Sequence, residues 1–174
     1  NDGRWIDADG KRLLVDRMQE NGGSAAYTDP LTGAFSRAYY EEKRTQLEGM
    51  DGVAILDVDD FKSINDTYGH QVGDKALRGI AHAILSCVRS TDVLIRYGGD
   101  EFLMLFPKIP EEVFFQRLER IRNAVRDTEI PEYPELKLSI SVGGAYGAEP
   151  LAEAIRQADR LMYRTKAQKH QNRN

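Results

Sequence analysis

The spacing of apolar residues changes several times along the chain, and each change marks an element. Residues 36–47 carry a helical pattern with Ser36 placed to cap it. Residues 52–58, GVAILDV, are apolar almost throughout, as a strand buried on both faces requires. FKSINDTYG, at 61–69, predicts a short helix closed by glycine. Val72, Ala76, Leu77, Ile80, Ala81, Ile84, Leu85 and Val88 then recur at helical spacing. DVLIRY (92–97) and EFLMLF (101–106) are strand-like runs only a few residues apart, which predicts a hairpin. Phe114, Leu118, Ile121 and Val125 mark another amphipathic helix. Residues 136–147 alternate like a half-buried strand, and Ile155, Ala158, Leu161 and Met162 mark a last helix. From the first buried strand onward the order is β-α-α-β-β-α-β-α. It predicts an α/β (α+β) sandwich, with helices packed around a central mixed or antiparallel sheet.

The beginning reads differently. Residues 4–15 suggest a short hairpin around Asp9-Gly10. The same DADG could open a calcium loop, but such a loop begun at Asp7 would need an acid where Met18 stands, so calcium is rejected. ENGGSAAYTD (20–29) is a linker by composition. The expected division is therefore residues 1–26, the end of an upstream module and its connector, and residues 27–174, the main domain.

Composition narrows the partners. Apolar residues at 41% and charged residues at 30% suit a globular domain. A net charge of −4 argues against nucleic acid or an anionic membrane as the main partner, though not against a small basic pocket for phosphates. Cys87 is the single cysteine and has no internal disulfide partner; it reads as a small buried residue in a reducing compartment. No run of about 18 apolar residues is present. Neither a signal peptide nor a starting methionine is seen, so the sequence reads as a cytoplasmic piece of a longer protein.

The chemistry concentrates in acids at strand ends. In ILDVDDF, Asp57 and Asp59 lie two apart on one strand and so point the same way. Two such carboxylates repel unless a positive group lies between them, and Mg²⁺ answers with a preference for hard oxygens and open positions for water and phosphate. In RYGGDEF (96–102), Asp100 and Glu101 sit at the hairpin tip, which should lie near Asp57 if the strands are neighbours. Gly98 and Gly99 are free to take positive φ and leave backbone bare for a bulky ligand. Gly and Asp alone serve ordinary turns; the second acidic pair is what points to a nucleotide and its metal. No Ser-His-Asp order, zinc spacing or GxxxxGK[ST] loop is present, and His70 beside a helix end reads as structural.

DPLTG (29–33), DVDDFKSINDTYGHQVGD (57–74), RYGGDEF (96–102), SISVGGA (139–145) and ADRLMYRTK (158–166) together resemble the GGDEF domain of diguanylate cyclases over about residues 29–171. The resemblance implies a palm-like nucleotidyl cyclase fold and the Mg²⁺- or Mn²⁺-dependent condensation of two GTP into cyclic di-GMP plus pyrophosphate. It implies Asp57, the Val58 carbonyl, Asp100 and Glu101 at the metal, with Asp100, Glu101, Gly98 and Gly99 forming the catalytic signature. It implies Asn65 and Asp74 on guanine, whose N1–H and 2-amino group suit a carboxylate and which adenine cannot mimic. It implies Lys62, Lys166 and the Phe61-Lys62 backbone on the triphosphate. In isolation these lysines would read as solvated surface residues, and Asn65 as a helix-end residue.

RSTD (89–92) resembles the RxxD inhibitory site that binds cyclic di-GMP, with Arg89 and Asp92 on one surface and Arg120 on a second. Three features depart from the family. TKAQKHQ (165–171) replaces the usual AKxxGRN, so His170 stands where Arg is usual and phosphate affinity should be weaker or pH-dependent. The sequence also stops before the family's last strand, and GAFSR replaces GLxNR, keeping Arg37. The expected working form is a homodimer holding two GTP face to face, under an upstream sensory domain. The alternative is a catalytically weak or silent GTP or cyclic di-GMP sensor module.

Overall fold

The computed structural model describes residues 25–173. The hairpin read at residues 4–15 and the rejected calcium loop lie outside them. After a single 3₁₀ turn, Ala25–Tyr27, nine elements follow: α1 (Arg37–Lys43), β1 (Gly52–Val58), α2 (Phe61–Tyr68), α3 (His70–Ser86), β2 (Val93–Arg96), β3 (Glu101–Phe106), α4 (Glu111–Arg126), β4 (Ile140–Tyr146) and α5 (Leu151–Arg173). Ser36 does cap α1, accepting from the Tyr39 N–H at 3.2 Å. Gly69 closes α2 at φ 93°, where a side chain would be strained.

The sheet has the order β2-β3-β1-β4 and every pair is antiparallel. The central β1 is buried over most of its length, which explains its unbroken apolar run. The strand expected from residue 136 starts only at Ile140, because Ile140 pairs with Val58, the last residue of β1, and residues 136–139 have no strand opposite.

Helices cover both faces, and two glycines on β4 let them come close. A Cβ on Gly143 would lie 2.0 Å from the Ala158 carbonyl oxygen of α5. One on Gly144 would lie 2.5 Å from Leu118 Cδ1 of α4. On that second face Phe114 is fully buried, with Phe106 edge-on at 5.5 Å. At 1.5 Å per residue α5 is about 34 Å long, so its last turns reach back to the end of β1. Among the described residues no helix is long and apolar enough to cross a membrane.

Candidate functional site

The register brings the predicted acids together. Asp57, near the end of β1, pairs with Glu101 on β3 and with Ser141 on β4. The Val58 N–H donates to the Asp100 carbonyl at 2.9 Å, so the hairpin tip is held against the end of β1. Inside the tip, the Tyr97 and Gly98 N–H groups both donate to the Glu101 carbonyl, at 2.8 and 3.0 Å. Burial pushes the Asp57 carboxyl up; a hydrogen bond from Lys166 offsets part of this, and the charge of Asp100 adds to it. Burial likewise raises Glu101, followed by the charges of Asp57, Asp159 and Asp100. Negative charge has thus been gathered here faster than it has been neutralised.

Asp57 and Asp59 both face α5, as alternation along a strand requires, but they do not share one cation. Asp57 Oδ2 accepts from Lys166 Nζ at 2.6 Å, and that ammonium also reaches the Val58 carbonyl at 3.3 Å. Asp57 Oδ1 is buried with no hydrogen-bond partner. Asp59 instead takes Lys169 Nζ at 2.8 Å and the Ser139 and Ser141 hydroxyls at 2.6 Å each. Burial alone would raise the Asp59 carboxyl; the bonds from Lys169, Ser139 and Ser141 outweigh it and hold the group below its usual range. Asp59 is therefore a structural anchor.

Among the described residues no three carboxylate, imidazole or thiol groups converge in ligating geometry. Mg²⁺ does not need such a cage, since it takes one or two carboxylates and completes its shell with water and phosphate. The bare Oδ1 of Asp57, the Val58 carbonyl and the Asp100 and Glu101 carboxylates beside them are hard oxygens that fit this mode.

The expected nucleotide residues sit on the helices that follow β1. Asp60 adopts the left-handed region (φ 56°, ψ 31°) to turn the chain into α2, and its side chain does not cap that helix. Phe61 is half-buried, while Lys62 is exposed and paired with Asp66 at 2.7 Å. Asn65 Oδ1 is buried without a partner. Gly73 makes room for it, because a Cβ there would lie 1.9 Å from that oxygen. The neighbouring Asp74 is exposed on α3, just past its first turn. Lys166 lies on Asp57 rather than reaching outward. His170, together with Asp59, Asp60, Lys166 and Lys169, lines a narrow cleft beside it.

The reading of the two signature glycines needs correction. Neither Gly98 nor Gly99 takes a positive φ. A Cβ on Gly99 would meet nothing within 4 Å, and one on Gly98 would make ordinary contact with Glu101 Cβ at 3.4 Å. The turn closes through the bonds to the Glu101 carbonyl without left-handed backbone. Folding itself therefore asks for glycine at neither position.

The tip is braced from the N-terminal side. Arg96 donates to the Gly99 carbonyl at 2.7 Å and to Asp29 Oδ1 at 3.1 Å, while Asp29 Oδ2 accepts from the Thr32 N–H at 3.0 Å. Arg37 donates to the Tyr97 carbonyl at 2.9 Å and lies 3.8 Å from the centre of the Tyr97 ring. Sequence reasoning missed Lys169, Ser139, Ser141 and Arg96 as supports. Arg96 and the serines lie inside quoted motifs, and Lys169 lies three residues after Lys166 on one helix, but only tertiary contact reveals their partners.

RSTD closes on itself. The Arg89 guanidinium donates to Asp92 through Nε and Nη2 (3.1 and 2.7 Å), and to the Pro107 and Lys108 carbonyls at 2.6 and 3.0 Å. The Asp92 side chain is fully buried. Arg120 is exposed on α4, where its carbonyl accepts from Cys87 Sγ at 3.8 Å, at the end of α3 that leads into Arg89. Cys87 is buried, as its reading required.

A family model described as diguanylate cyclase, GGDEF domain, matches residues 26–172. The diguanylate cyclase DgcM of Escherichia coli (strain K12) is 33% identical over 157 residues, covering 86% of this chain and 38% of its own length. The chain thus spans well under half of that relative. The structure of the GGDEF domain of DgcB from Caulobacter crescentus in complex with c-di-GMP has a TM-score of 0.71 at 30% identity, covering 83% of this chain and 92% of that one. Diguanylate cyclase SiaD in complex with its activator SiaC from Pseudomonas aeruginosa has a TM-score of 0.75 at 32% identity, covering 92% of this chain and 66% of that one. By the extent of these matches, and by the acids and bare glycines they fall on, the chain belongs to the GGDEF domain family of diguanylate cyclases.

Proposed function

We propose that this chain is the catalytic domain of a diguanylate cyclase. Each of two GTP molecules offers its 3′ hydroxyl to the α-phosphorus of the other; two P–O bonds form, two pyrophosphates leave, and cyclic di-GMP remains. The observation that supports this best is the half-satisfied Asp57 carboxylate, in register with Glu101 and against a hairpin tip whose glycines folding does not require. Mg²⁺ or Mn²⁺ held by Asp57, the Val58 carbonyl, Asp100 and Glu101 would neutralise phosphate charge. Glu101, in register with Asp57, would help to activate the 3′ hydroxyl or hold a second metal ion. The bare backbone of Gly98 and Gly99 accommodates the nucleotide. Asn65, with an unpaired buried oxygen, and Asp74 recognise guanine. Lys62, Lys166 and the Phe61-Lys62 backbone steady the triphosphate. One domain holds one GTP, so turnover requires a homodimer with its two sites facing.

Feedback by cyclic di-GMP through Arg89, Asp92 and Arg120 is part of this reading. Product must recruit a guanidinium that already serves Asp92 and two carbonyls, so inhibition should need high product concentration. An upstream sensory domain would set how often the two halves meet.

Incubation with GTP and Mg²⁺, followed by mass analysis, tests the proposal. Cyclic di-GMP should form, ATP should not be consumed, and Glu101→Gln should lower the rate at least a hundredfold, the usual weight of a general base. A protein that binds GTP but yields no product even as an enforced dimer would be the sensor instead.

A further inference from the structure

Two lysines one turn apart on α5, Lys166 and Lys169, each grip one carboxylate at the end of β1. Their anions are not equivalent. Asp59 is complete, with two hydroxyls and an ammonium on its oxygens, and Lys169 is further held by the Ile140 carbonyl at 2.7 Å. Asp57 is incomplete: Lys166 covers Oδ2, and Oδ1 is buried with nothing on it. The second acceptor of Lys166 is the Val58 carbonyl. One ammonium therefore sits on the Val58 carbonyl and on the Asp57 carboxylate, both of which the proposed function gives to a divalent cation.

From this asymmetry we infer that Lys166 is a resident counter-cation which a divalent metal ion displaces, while Lys169 stays on Asp59 and keeps α5 docked. The inference rests on the metal–nucleotide reading of the site and adds an exchange to it. An ammonium and a divalent ion cannot share the Val58 carbonyl and one carboxylate at contact distance without strong repulsion. The lysine can leave, because its charge rides on a flexible four-carbon stem and is partly exposed. It leaves towards the cleft shared by Asp59, Asp60, Lys169 and His170, where a triphosphate would take up the freed charge. Metal and nucleotide are then coupled through one side chain: each makes room or provides a partner for what the other needs. The protein without ligands keeps its buried acid paired and stays folded, and metal alone binds weakly.

Mn²⁺ binding to the 174-residue chain, followed by electron paramagnetic resonance, reads this without turnover. Lys166→Met should bind Mn²⁺ about tenfold more tightly than the wild type in the absence of nucleotide, the worth of one charge-assisted hydrogen bond. Lys166→Arg, which keeps a cation in place, should bind like the wild type. Adding a non-hydrolysable GTP analogue should tighten Mn²⁺ in the wild type more than in Lys166→Met. Lys169→Met should lower the melting temperature and leave Mn²⁺ affinity without nucleotide unimproved. Equal or weaker Mn²⁺ binding by folded Lys166→Met overturns the exchange but leaves the cyclase reading standing. Failure of Mn²⁺ to bind any of these proteins, with or without the analogue, overturns both.

Discussion

At the scale of single residues, the site is a set of polar atoms whose partners are unequal in number. Asn65 Oδ1 is unpaired, and the space it occupies exists because residue 73 has no side chain. Gly73→Ala should push the carboxamide aside. It should weaken a GTP analogue about tenfold, the loss of one well-placed hydrogen bond. Alanine in a helix also gains roughly 0.5–1 kcal/mol over glycine, so melting should be unchanged or higher; unchanged affinity would sink this role for Asn65. Asp59 makes the opposite prediction. Its carboxyl is held below the usual 3.8, so its stabilising contribution is complete above that value and disappears as pH falls through the lower folded value. Asp59→Asn should melt lower than the wild type at pH 7, with a gap that closes below about pH 4 in a melting series. The sequence could show that Asp57 and Asp59 share a face. It could not show that Ser139, Ser141 and Lys169 converge on Asp59, because those partners are 80 or more residues away along the chain.

At the scale of elements, the periodicities carry most of the fold. The apolar run of β1, the hairpin of β2 and β3 and the spacing of α3 and α4 all stand where the pattern puts them. The failures arise from contacts that periodicity does not carry. A strand ends where its neighbour ends, so residues 136–139 cannot join β4 once β1 has stopped at Val58. Glycine in a tight bend suggests positive φ, yet the bonds to the Glu101 carbonyl shape the tip without it. The seam between β4 and α5 was also invisible in sequence, although it positions Lys166 and Lys169. A Cβ on Gly143 would strike backbone atoms, the Ala158 oxygen and the Met162 nitrogen at 2.3 Å, which cannot rotate away. Gly143→Ala should cost at least about 1–3 kcal/mol in denaturant unfolding, the range of overpacked cores. It should also lift α5 and weaken GTP binding. Wild-type stability in this variant would mean that the helix docks more loosely than described.

At the scale of the whole molecule, the proposed facing sites imply second-order behaviour. If each domain presents one GTP, the rate per milligram should rise in proportion to protein concentration while the chain is mainly monomeric. Fusion to a dimeric coiled coil should abolish that dependence. A rate per milligram that stays flat on dilution of a monomer, followed by light scattering, would contradict the facing-sites arrangement. The brace between Asp29, Arg96 and the Gly99 carbonyl bears on how such a domain is governed. Were force to arrive at Asp29 from an upstream partner, one guanidinium would pass it to the bend at Gly99. A torque there would not need to travel through the core, and a small rotation at Asp29 would become a displacement of the hairpin tip.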